Sequence, residues 1–169
     1  MSAMHHQPDG VTFDVVLLLH VGCVVVGVVT TATAAATAAR LRRLVGSSRP
    51  LPEPLRRYFR PGVNWAGRTV YGIPVFGFAL VAMSRGAYAL GQGWVLGGLA
   101  VFAALALVGE GMLWPAEQRV QVALSQVDDG GGGDVTVQTL ECDATVLSRA
   151  AVAALALLVV GTVLMVAQP

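Results

Sequence analysis

Four stretches of the chain are apolar at nearly every position, with neither the alternation of a strand nor the polar face of a soluble helix: residues 13–39, 65–88, 94–114 and 147–167. A helix rises about 1.5 Å per residue and the hydrocarbon core of a bilayer is about 30 Å thick, so about 20 residues cross it. All four runs reach that length, and helices apolar on every side belong in lipid. The first is interrupted only by Asp14 at its edge and His20 inside it. Gly91, Gln92 and Gly93 link the second and third runs so briefly that an antiparallel hairpin is expected. The expected fold class is therefore all-α, a polytopic membrane protein built as one four-transmembrane-helix bundle, with loops at 40–64 and 115–146.

Composition sharpens this. Of 169 residues, 55% are apolar and 12% charged, against roughly 45–50% and about 25% in soluble domains. A disordered tail and a nucleic-acid binder are excluded. All 11 basic residues are arginine, and alanine, valine and leucine dominate, the usage of a GC-rich bacterial genome. Cys23 and Cys142 are expected near opposite membrane faces, out of reach of one disulfide, and so are free thiols.

Arginine placement gives the orientation. Arg40, Arg42, Arg43, Arg49, Arg56, Arg57, Arg60 and Arg68 belong to the first loop and its edges, Arg119 and Arg149 to the third, and only Arg85 to the opposite side. The positive-inside rule then makes both loops cytoplasmic in a bacterial plasma membrane, with both termini outside. The small residues Ala34, Ala35 and Ala36 would suit signal-peptide cleavage, but the run is too long and lacks a positive start.

The loops suggest contacts. After Pro50, Pro52 and Pro54, the residues Arg56, Arg57, Tyr58, Phe59 and Arg60 form a basic, aromatic stretch. It reads either as a contact with anionic lipid or as a topology determinant alone. The third loop, Gly130 to Gly133 flanked by Asp128, Asp129, Asp134, Glu141 and Asp143, reads as a flexible acidic linker able to meet the basic loop.

Ionisable groups at membrane depth are costly, which makes each a candidate site. With Trp65 and Trp114 taken as interfacial belt residues, Arg68 and Glu110 fall about 4.5 and 6 Å inward. An ion pair between them is expected, with Asn64 as a further partner. It either pins the register of two helices or serves a proton or cation path in an oligomeric transporter. His20 reads as a hydrogen-bonded packing residue, a proton-responsive group, or a haem or metal ligand. Cys23, one turn away, and Met83 are the nearest candidate co-ligands, because His5 and His6 lie in the tail. Arg85 and Tyr88 are placed to reach the headgroups. A face of little bulk at Gly27, Thr31, Ala35 and Ala39 predicts close helix packing, as do Gly93 and Gly97, and Pro74 with Gly72 and Gly77 predicts a kink.

LLLH (Leu17 to His20), NWAGRTVYGIP (Asn64 to Pro74), GEGMLWPAE (Gly109 to Glu117) and VLMVAQP (Val163 to Pro169) together resemble a bacterial family of four-helix integral membrane proteins known as domain of unknown function 2269. The resemblance implies four spans and a plasma-membrane location, and brings no activity, ligand or catalytic residue. The helix-one histidine is also distantly similar to copper-export and protoporphyrinogen-oxidase membrane families.

No phosphate loop, nucleophile elbow, HExxH or CxxC occurs in the sequence, and the parts of an enzyme are missing. The expectation is a non-enzymatic accessory or structural membrane subunit without a cofactor. Its partners would be the bilayer and either its own copies or other membrane proteins, and not nucleic acid. The alternatives are a haem- or copper-binding protein centred on His20 and an ion-linked transporter using Glu110.

Overall fold

The computed structural model describes residues 10–45, 51–84, 88, 90–128 and 134–167. Expectations resting on His5, His6, Arg49, Arg85, Asp129 and Gly130 to Gly133 lie outside them. Every regular element among the described residues is helical. The first is α1 (Val11–Leu44), followed by the short α2 (Glu53–Tyr58) and the single turn α3 (Trp65–Arg68). A 3-10 turn (Thr69–Tyr71) leads into α4 (Gly72–Met83), and α5 (Gly93–Val108) passes through a π-helical turn (Gly109–Leu113) into α6 (Trp114–Asp128). The last helix is α7 (Asp134–Val166). Four segments are long and apolar enough to cross a membrane: Val11–Leu44, Trp65–Met83, Gly93–Val127 and Val137–Val166.

The packing is inverted relative to a water-soluble bundle. On α1 the buried positions are small or polar, namely His20, Gly27, Thr31, Ala34 and Ala38 with Leu41, while Leu18, Val25 and Val29 are more than half exposed. Lipid solvates the large side chains, so only close backbone approach gains packing energy. The expected face of Gly27, Thr31, Ala35 and Ala39 is corrected in its second half. Each step of four residues overshoots a 3.6-residue turn by about 40°, so the buried line follows 4-3-4-3 spacing onto Ala34 and Ala38 and leaves Ala35 half-buried at its flank.

Two boundaries differ from the hydropathy reading. The segment 115–146 is mostly helix, because α6 continues past Trp114 and α7 begins well before residue 147. Leu113, Ala116, Val120 and Leu124 face Leu140, Ala144, Leu147 and Ala151 in one buried cluster. That spacing is too sparse to read as a span, yet it suffices to zip two amphipathic helices. Arg119 Nε donates to Asp143 Oδ1 at 2.8 Å across them. The acidic residue Asp143 is thus bonded within the hairpin and is not a free linker charge. Leu55 of α2 and Phe59 just past its end, 6% and 2% exposed, insert into the same cluster, so the basic stretch is docked on the bundle.

Around the bundle, α4 packs on α1, α1 on α7, and α7 on α5, whereas α4 and α5 scarcely touch. The expected hairpin of α4 and α5 is therefore close in sequence and splayed in space. Larger surfaces explain this. Gly97 and Gly98 bring α5 against Leu164 and Met165 of α7, Gly161 brings α7 against Val101, and α4 is drawn onto α1.

Candidate functional site: a cleft headed by His20

The α1–α4 seam sets the site. In antiparallel register, His20 lies over Gly77, Cys23 against Gly72 and Val70 against Gly27. A Cβ on Gly77 would stand 3.4 Å from His20 Cε1, and one on Gly27 2.8 Å from Val70 Cγ1. Pro74 sits in the first turn of α4, just past the 3-10 turn, where the missing N–H is tolerated. His20, 9% exposed, places Nδ1 2.9 Å from the Ile73 carbonyl oxygen. A carbonyl only accepts, so Nδ1 carries the proton, and in the neutral form of the ring Nε2 is the lone-pair acceptor.

His20 lines a cleft of about 370 Å³ in the gap between α4 and α5. Its walls are apolar, with Leu17 and Val21 from α1, Phe78 and Val81 from α4, and Leu99 from α5. Tyr88 and Trp94, ring centroids 5.6 Å apart, stand at one end. Toward the other end Tyr71 and Phe102, 6.2 Å apart, span the same gap.

Beneath this aromatic pair lies the second polar group. Tyr71 Oη donates to Glu110 Oε1 at 2.6 Å, and Arg68 Nη1 stands 3.9 Å from the same oxygen. The Arg68 guanidinium lies 4.8 Å above the Trp114 ring. Trp114 is 7% exposed, folded against Gly109 and Tyr71, and so is no lipid-facing belt residue, whereas Trp65 is 74% exposed. The wide π turn at Gly109–Leu113 makes room for this ring. A Cβ on Gly109 would stand 2.7 Å from Trp114 Cζ3.

The expectation for Asn64 is corrected. It does not join Arg68 and Glu110. Its Oδ1 accepts from Gly67 N at 3.1 Å, capping α3, and its Nδ2 donates to Glu117 Oε1 at 3.2 Å. Glu117, 7% exposed, is a buried carboxylate that sequence reasoning passed over. Its place one turn past Trp114, on the apolar face of α6, was the available signal. Tyr58 stands beside this pair with its hydroxyl buried and its best potential partner, Asn64, outside strict hydrogen-bond geometry. Burial, then the Glu117 carboxylate, push that phenol upward against a smaller opposing pull from Asn64.

The proposed co-ligands of His20 are not gathered around it. Cys23 Sγ is turned onto Gly72, and Met83 lies outside the cleft lining. Among the described residues no group of three or more His, Cys, Asp or Glu is placed to hold a metal ion. Arg56, Arg57 and Arg60 are exposed on and after α2, bordering a separate pocket with Gln121 and Ser125. Comparison with known protein families, curated proteins and solved structures finds no match to this chain.

Proposed function

We propose that the protein is a non-enzymatic accessory membrane subunit that holds a lipophilic ligand in the cleft between α4 and α5. The ligand has an acyl or isoprenoid body and a hydroxyl head that donates to His20 Nε2. The observation that carries this reading is the pairing of one oriented acceptor with an otherwise apolar cleft that α4 and α5 leave open. Binding sites commonly combine apolar walls with one or a few polar groups that fix orientation. Among the described residues no nucleophile, base and orienting third group are assembled around His20, which favours binding over catalysis. The arginine bias supports an orientation with α2 and the α6–α7 hairpin in the cytoplasm, and in that orientation the cleft belongs to the outer half of the bilayer.

A second reading rests on the same Nδ1–H···O=C bond. Histidines that ligate metals are often oriented by such a bond, so His20 is also suited to be one axial ligand of a haem. Purification in mild detergent, followed by an absorption spectrum and mass spectrometry of the extracted small molecules, tests both. A colourless protein carrying about one long-chain hydroxyl compound per chain supports the first reading, a Soret band supports the second, and an empty cleft contradicts both.

A further inference from the structure

We propose a second binding site, for a phosphate oxyanion, at the arginine-rich end of the molecule. A concavity of about 270 Å³ is bordered by Glu53, Arg57, Arg60, Pro61, Gln121 and Ser125. Arg56, which has an interaction of its own, lines the same wall. Charges that only set topology need no fixed geometry. Here Leu55 and Phe59, buried in the bundle core, hold the arginine-bearing segment against α6, so Arg57 and Arg60 converge on one hollow. The hollow is already braced by Gln121, whose Oε1 accepts from Gly62 N and whose Nε2 donates to Gly62 O, each at 3.4 Å.

Guanidinium groups present paired N–H donors matched to phosphate oxygens, and one carboxylate, Glu53, does not cancel the arginines around it. Depth favours a headgroup as the source. Arg60 lies five residues before Trp65, the exposed aromatic residue with which the second apolar span begins, at the edge where lipid phosphates border the hydrocarbon core. A soluble phosphoanion would present the same chemistry.

The test uses the full chain in phosphate-free mild detergent, with native mass spectrometry reading bound phosphatidylglycerol, phosphatidylcholine and inorganic phosphate. Wild type is expected to retain phosphatidylglycerol at least tenfold over phosphatidylcholine. R57Q/R60Q is expected to lose that preference with an unchanged melting temperature, and R57K/R60K to keep part of it. Displacement of phosphatidylglycerol by millimolar phosphate would make a soluble anion a competent source; resistance to it would assign the lipid. Equal retention of both lipids without phosphate binding, or a preference that survives R57Q/R60Q, would overturn the proposal. If the double variant does not fold, R57Q alone is read, with at least a threefold loss expected and no loss overturning the proposal.

Discussion

Cys23 Sγ occupies the space above Gly72, so that a Cβ built on the glycine would stand 2.5 Å from the sulfur. This contact, with Val70 over Gly27, holds α1 and α4 at backbone distance and fixes the register that presents His20 to the Ile73 carbonyl. Gly72→Ala must push the helices apart, and overpacking of this kind costs about 1–3 kcal/mol. A lower melting temperature in detergent is expected for Gly72→Ala. Gly22→Ala, where a Cβ meets nothing within 4 Å, should melt like wild type.

The hairpin of α6 and α7 depends partly on Arg119 and Asp143. Asp143 is 8% exposed while the arginine side chain is 53% exposed, so solvent screens much of the interaction. A double-mutant cycle of Arg119→Ala and Asp143→Asn should give a coupling of about 1 kcal/mol that falls with added salt. Zero coupling at low salt would assign the stability of the hairpin to its apolar seam alone.

Beside Glu110, Tyr71→Phe removes the donor to that carboxylate and keeps the ring against Phe102 and Trp114. A loss of about 0.5–1.5 kcal/mol is expected, the usual net value of one hydrogen bond. Tyr71→Ala should cost more, because it opens the aromatic contact as well. Equal effects would show that the ring contributes nothing beyond its hydroxyl.

Cys142 is exposed on α7 and Cys23 is half-buried in the α1–α4 seam. With the arginine-rich end in the cytoplasm, a membrane-impermeant maleimide should leave intact cells unlabelled and modify Cys142 once they are permeabilised. Labelling of Cys142 from outside intact cells would reverse the orientation.

The four spans were legible in the sequence because about 20 consecutive apolar residues have few alternatives to lipid. The depth matching of Arg68 and Glu110 on neighbouring segments was visible as well, and the structure sets these groups 3.9 Å apart. Hidden from a hydropathy reading were features set by side-chain packing between helices. The amphipathic pattern through Ala116, Val120 and Leu124 looked like a polar loop because its apolar stripe covers only one face. Glu117 went unnoticed since its burial comes from α2 and Asn64, which are distant in sequence. The cleft was hidden by a reasonable inference from the three-residue link at Gly91 to Gly93. A short connection makes helices neighbours at one end, but the glycines on α5 and α7 and the seam of α4 with α1 set how far they diverge.

The central claim is that His20 Nε2 receives the head of a lipophilic ligand, and it is tested most directly by comparing ligand occupancy of wild type and His20→Phe by native mass spectrometry. Phenylalanine keeps the ring in the seam and removes both nitrogens. The account predicts near-stoichiometric ligand on wild type and at least a tenfold weaker hold on His20→Phe, about 1.4 kcal/mol for the lost hydrogen bond. Equal occupancy of the two proteins, or a wild type without ligand, would contradict it.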